Sequence, residues 1–196
     1  MRKILHRVNT KKDLLRTSSE FGVEVDIRSN GGELYIHHDP FLNGENFEDW
    51  LKSYNHAILI LNVKEEGLES RLISLMQKYG VDDYFFLDQS FPFLVRTATK
   101  GEKRCAIRVS EFENIETAMT LAGKIDWVWV DCFTCFPLTN EDARRLQVDG
   151  GFKLCFVSPE LQGRTSLDGI KQYREAIKSL GIKGDAVCTK HPDLWA

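Results

Sequence analysis

Eight short apolar or β-branched runs, each followed by a more polar stretch of helical periodicity, set the fold class of this chain, because that alternation is the signature of repeated βα units. The runs cover residues 3–6, 23–27, 57–64, 84–88, 104–109, 127–131, 153–157 and 186–190, and helical stretches between them cover 10–20, 47–53, 67–79, 91–99, 115–121, 140–148 and 167–180. Thr139-Asn140-Glu141-Asp142 reads as a helix cap, and Ser166 with Asp168 opens the last long helix in the same way. No Pro/Gly/Ser-rich linker interrupts the alternation, so residues 1–196 read as a single α/β domain. A doubly wound sheet would need a glycine-rich phosphate turn after the first strand, and residues 5–9 offer none. Eight units in 196 residues leave about 24 per unit, against roughly 30 in an ordinary eight-stranded barrel. The expectation is therefore a compact (β/α)8 TIM barrel. Ser29-Asn30-Gly31-Gly32 lies between two alternating segments and adds a small hairpin after the second strand.

Composition narrows the partners. With 26 Lys+Arg against 29 Asp+Glu the net charge is -3, which does not suit a chain that coats nucleic acid or a membrane by bulk electrostatics. Arg2, Lys3, Lys11 and Lys12 are too few and scattered to form a nucleic-acid surface. No apolar stretch reaches the roughly 18–20 residues of a membrane span, and the start, MRKILHRVNT, lacks a signal-peptide core. The expectation is a cytoplasmic protein with a small-molecule substrate and no stable membrane insertion, its oligomeric state left open. Of five cysteines, Cys105, Cys155 and Cys188 sit inside apolar runs as small buried hydrophobes. Cys132-Phe133-Thr134-Cys135 has redox or half-zinc spacing, but no second pair stands nearby and Phe136-Pro137 breaks the helix start a redox pair wants. Trp50, Trp127, Trp129 and Trp195 read as packing residues, with an aromatic at the mouth able to stack on a ligand.

Polar residues collect where the runs end: His6 and Arg7, Glu24 and Asp26, Asn62 and Lys64, Asp88, Arg108, Asp131, Glu160 and Lys190. The C-terminal ends of barrel strands are where such folds build active sites. In Val23-Glu24-Val25-Asp26-Ile27 the two-residue period of a strand puts both carboxylates on one face. Facing a barrel mouth, the two repel unless a cation or proton separates them, which favours a hard ion such as Mg²⁺ or Ca²⁺. The alternative is a solvated edge strand. His6, His37 and His38 fall at two strand ends, and a pair of imidazoles across such a site can act as base and acid near neutral pH. Arg108 and Arg164 could receive an anionic head group, although Arg164 also suits a surface salt bridge.

These residues, in order, resemble the glycerophosphodiester phosphodiesterase family of barrels, related to the phosphatidylinositol-specific phospholipases C. The matching text is His6-Arg7 after the first strand, Glu24-Val25-Asp26 on the second, Asn30-Gly31 leading to His38-Asp39-Pro40, and Asn62-Val63-Lys64 on the third. Phe86-Leu87-Asp88-Gln89-Ser90-Phe91 and residues 185–192 resemble its fourth and closing strands more weakly. The resemblance implies His6 and His38 as acid and base. It assigns Arg7 and Lys64 to the phosphate, with Arg108 a further substrate contact read from its strand end, and Glu24, Asp26 and Asn62 to a Mg²⁺ or Ca²⁺ ion. Two departures stand out. Asn62 replaces the family's third ligand, a Glu, with Asp131 or Asp39 as possible substitutes and Asp39 equally suited to orienting a histidine. The subdomain many members insert between His38 and Asn62 is also essentially missing. The activity so implied is metal-dependent phosphodiester hydrolysis. The rivals are a catalytically silent binder of phosphate compounds and a barrel enzyme using Lys64 or Lys190 as a Schiff-base amine.

Overall fold

The computed structural model describes residues 1–163 and 167–195. The chain runs β1 (Arg2–Leu5), α1 (Lys11–Arg16), β2 (Gly22–Asn30), β3 (Glu33–Ile36), β4 (Glu45–Asn46), α2 (Phe47–Leu51), β5 (Leu59–Val63), α3 (Glu69–Tyr79), β6 (Tyr84–Leu87), α4 (Phe91–Thr99), β7 (Ala106–Val109), α5 (Ile115–Met119), β8 (Trp127–Val130), α6 (Asn140–Arg144), β9 (Lys153–Val157), α7 (Leu167–Ser179) and β10 (Ala186–Thr189). Every one of the eight apolar runs forms a strand, and every helical stretch contains a helix. Local chemistry fixes many ends. The Thr10 side chain accepts from the Asp13 N–H to start α1, Thr139 and Asp142 form a reciprocal capping box on α6, and Gly80 closes α3 with φ 66°. The stretch expected as one helix over 140–148 is α6 followed by a π turn at Arg145–Asp149. The reading of Ser166 as a cap and of Arg164 as a ligand falls outside the described residues.

Eight parallel strands pair in the order β6-β5-β2-β1-β10-β9-β8-β7. This sheet is curled, so that β6 and β7 meet at one parallel bridge, Phe86 to Cys105, where a full ladder was expected. Side chains alternate between two layers, as the strand period dictates. Val23, Val25 and Ile27 face the helices with Leu59, Leu61 and Phe86. Ile4, Ile60, Phe85, Trp127, Cys155 and Ala186 form a second, inner cluster, in which Phe85 and Trp127 stack at 4.6 Å. Trp127, Trp129, Cys105, Cys155 and Cys188 are buried packing residues, as expected. Glu24 and Asp26 share the inner phase of β2, which lies between β1 and β5. Both carboxylates are fully buried, which overturns the solvated-edge alternative.

The hairpin is present and larger than expected: β3 returns antiparallel to β2 with Ile36 opposite Ile27, and β4 adds a third strand through Ile36 and Glu45. Gly44 permits this, since a Cβ there would sit 1.8 Å from the Ile36 carbonyl oxygen. Among the described residues no helix is long and apolar enough to cross a membrane.

Candidate active site at the strand ends

Above the inner cluster, toward the C-terminal strand ends, the interior turns polar, with Glu24, Asp26, Asn62 and Asp131 all buried there. His6 follows β1 and Arg7 turns away with φ 56°, a left-handed conformation that places its own N–H on the Glu24 carboxylate at 2.6 Å. Asp88, at the end of β6, has φ 60°. Two of the three non-glycine residues with positive φ among those described thus lie at the strand ends that carry these charges.

The charged groups form one connected row. Glu24 accepts from the Arg7 N–H through Oε2 and from Asn62 Nδ2 through Oε1 at 2.7 Å, and His6 Nε2 lies 3.9 Å from Oε2. Asp26 is held by Asn9, whose Nδ2 donates to Oδ2 at 2.8 Å while its Oδ1 accepts the Asp26 N–H. Arg7 Nε lies 3.7 Å from Asp26 Oδ2, and Lys64 Nζ 3.3 Å from Asp26 Oδ1. Lys64 also donates to Asp88 at 3.0 Å, Asp88 pairs with Arg108, and Arg108 Nε lies 3.7 Å from Asp131. Gln162 donates to Asp131 at 2.6 Å to end the row. Glu160 sits apart, accepting from Thr189 Oγ1 and the Lys190 N–H. Asp131 does not reach Asn62: its oxygens serve Arg108, Gln162 and the Cys132 N–H, so it is no substitute third ligand.

Environment sets distinct protonation states. Burial, joined by the Arg7 charge, pushes the His6 imidazole down to about 4. It is therefore neutral at pH 7, able to accept a proton. Burial and the neighbouring Asp26 charge push Glu24 up to about 7, against the hydrogen bonds from Asn62 and the Arg7 N–H. Burial works on Asp88 in the same upward direction, but Lys64 and Arg108 outweigh it and hold this carboxyl below the usual range. Burial raises Asp131.

His38 stands at the rim, its side chain 39 % exposed. Its Nδ1 is 2.7 Å from Asp39 Oδ1, and that hydrogen bond holds Asp39 below the usual carboxylate range. Asp39 is thus an orienting partner. The Arg28 guanidinium, unremarked in the sequence, accounts for the position of His38: it donates to the His38 carbonyl at 2.8 Å and reaches the Lys64 carbonyl at 3.4 Å. Arg28 links His38 and Lys64 through their backbone carbonyls; His6 and Asn62 meet Glu24 through side chains, Arg7, Asp26, Lys64, Asp88 and Arg108 are likewise joined through side chains, and the Arg7 N–H on Glu24 connects the two sets. Arg28, Asn9 and Gln162 carry no periodic or motif signal.

The donor set around Glu24 suits a hard cation in kind. Asp26 Oδ1 and Asn62 Oδ1 are buried oxygens without a hydrogen-bond partner, and two carboxylates with an amide oxygen are ligands Mg²⁺ and Ca²⁺ accept. Among the described residues no three His, Cys, Asp or Glu side chains gather closely enough to hold a metal ion, so Asn62 is needed to complete a set here. Lys64, on Asp26 Oδ1, competes for the same charge.

No protein-family model and no curated protein matches the chain. Solved structures do. A glycerophosphodiester phosphodiesterase from Agrobacterium tumefaciens superposes with a TM-score of 0.63 at 14% identity, covering 100% of this chain and 99% of its own. A glycerophosphoryl diester phosphodiesterase from Parabacteroides distasonis gives 0.66 at 12% identity over 98% and 84%. The tryptophan synthase α-subunit of Pyrococcus furiosus gives 0.58 at 11% identity over 96% and 86%. At such identities, and with enzymes of unlike chemistry among the matches, the likeness is one of fold: this chain shares the architecture of the phosphodiesterase barrels along nearly its whole length.

Proposed function

We propose that the protein is a phosphodiester hydrolase of the glycerophosphodiester type, working at the ends of β1, β2 and β5. The observation that carries this reading is the coincidence of the His6-Arg7, Glu24-x-Asp26 and Asn62-x-Lys64 residues in one contact network, on a fold whose solved neighbours include two phosphodiesterases.

Such a reaction needs three things: charge to offset the phosphate, a base for the attacking hydroxyl or water, and an acid for the departing alkoxide. Neutral His6 is suited to be the base. His38, with Nδ1 held on the Asp39 carboxylate, can donate a proton from Nε2 when both ring nitrogens are protonated. Arg7 and Lys64 already touch Asp26, so the phosphate would draw them from a paired state. Arg108, paired to Asp88 and Asp131, lies one step further along. Glu24, Asp26 and Asn62 would hold Mg²⁺ or Ca²⁺, which when bound supplies positive charge to the phosphate oxygens. With Asn62 for a carboxylate, its affinity is expected to be lower than three acids would give.

The test is hydrolysis of a panel of glycerophosphodiesters and sugar phosphodiesters with Mg²⁺, Ca²⁺ or Mn²⁺, and with EDTA as control. Turnover that EDTA abolishes supports the reading in full. Turnover that survives EDTA retains the hydrolase and removes the metal. Absence of turnover in folded protein with every metal favours the silent phosphate binder.

A further inference from the structure

Parallel strands hold together by evenly spaced backbone hydrogen bonds, and where these stop the strands are free to diverge. β6 and β7 stop early. The Phe86 N–H donates to the Arg104 carbonyl at 2.8 Å beside the Phe86–Cys105 bridge. Beyond it, no backbone hydrogen bond among the described residues joins Leu87 or Asp88 to residues 106–109. The strand ends part and open a pocket of about 720 Å³, lined by Leu87, Asp88, Phe91, Ile107, Arg108 and Phe112 among others. That is the size range of sites that enclose a small organic ligand.

The seam pocket borders the site described above through Asp88 and Arg108. Its inner wall is the Asp88–Arg108 pair, and Asp88 is the group to which Lys64 donates. Its flanks carry two phenyl rings, Phe91 at 48 % and Phe112 at 76 % exposure. Of the charges lining it, Asp88 is paired with Arg108, and Glu113, which accepts from Ser110 Oγ at 2.7 Å, adds a negative charge that disfavours an anion. Exposed aromatic faces beside a neutralised ion pair suit an uncharged group with a flat apolar side, not an anion or a small polyol. A phosphodiester has two ester arms, and a phosphate at Lys64 and Arg108 leaves one of them facing the gap.

We infer that the open β6–β7 seam is a subsite for one alcohol arm of the substrate, and that this arm is bulky, uncharged and at least partly apolar or aromatic. The inference rests on the phosphodiesterase reading, so binding, which needs no turnover, is the chosen readout. Diphenyl phosphate and dimethyl phosphate, alike in charge, are titrated calorimetrically into the full chain and its Phe112→Ala, Thr117→Trp and Lys64→Ala variants. Phe112 and Thr117 are exposed, so the first two substitutions spare the core. The expected result is diphenyl phosphate binding at least ten-fold tighter than dimethyl phosphate. That ratio should fall to about three or less when Phe112 is truncated or Thr117→Trp fills the pocket, and Lys64→Ala should weaken both esters. A ratio near one in the native protein, or one that survives both seam variants, overturns the subsite. A ratio that depends on Phe112 while neither ester responds to Lys64→Ala fails the phosphodiester reading and not the apolar seam.

Discussion

Asn62 is the residue at which this site departs furthest from a three-acid cation site, and the structure shows what the exchange does. Its amide N–H donates to Glu24, a bond a glutamate could not make, and its Oδ1 is left without a partner. Asn62→Glu would set a third carboxylate beside Glu24, already pushed up to about 7 by burial and Asp26. In EDTA the variant should therefore melt lower than the native protein, by about 2–4 °C for each kcal/mol lost. Excess Ca²⁺ or Mn²⁺ should raise its Tm more than the native Tm. Equal metal-induced shifts in the two proteins, read by scanning calorimetry, would contradict the assignment of position 62 as a ligand. Glu111 gives a second residue-scale expectation. Burial would raise its carboxyl, but the N–H groups of Cys135 and Thr134 with the Thr134 hydroxyl outweigh this and hold it at about 2. A carboxyl lowered on folding stabilises the fold above its unfolded value, about 4.5, and that contribution disappears as pH falls through about 2. The Tm gap between the native protein and Glu111→Gln should be widest at pH 6 and close by pH 2; a gap independent of pH would contradict it.

At the scale of elements, the strands of the curled sheet were readable because strands buried on both faces appear as continuous apolar runs. The Glu24-x-Asp26 pair was readable for the complementary reason, as the one place where that run alternates with acids. β4 was not readable: Glu45 and Asn46 are a polar pair, and they join the sheet only because Gly44 lets the chain pass against Ile36. The strap so formed ends the turn carrying His38 and Asp39. Gly44→Ala should push the strap off β3 and cost about 1–3 kcal/mol, measured by urea denaturation. It should also lower kcat on any diester the native protein hydrolyses. Unchanged stability would show that the close approach at Ile36 is relieved without cost. Asn9 and Gln162, which position Asp26 and Asp131, were hidden because a single polar residue outside a strand looks the same whether it meets solvent or a buried carboxylate, and Arg28, in the polar end of β2, gave no sign that it would reach the His38 carbonyl.

For the whole molecule, the pattern of eight units called for a closed ring of strands, and pattern alone has no means of showing how the last pair meets. Register between β6 and β7 depends on the curl of the full sheet, to which no single segment testifies. The single bridge there has a dynamic consequence. Amide hydrogens of Asp88 and Arg108, which by strand alternation face the seam beyond the bridge, should exchange faster than those of Val25 and Leu61 in the doubly paired β2 and β5, and equal protection would contradict an open seam. The same molecule-wide arrangement puts the neutral imidazole of His6 beside Glu24 at one end of the charged row. The measurement that bears most directly on the proposed function is the rate of metal-supported hydrolysis of a glycerophosphodiester by the native protein and by His6→Ala, with circular dichroism and Tm recorded for both. The account predicts native turnover and a loss of about 10²–10⁴-fold in kcat for the variant, with the fold retained. A folded His6→Ala protein that hydrolyses the diester at the native rate would contradict it.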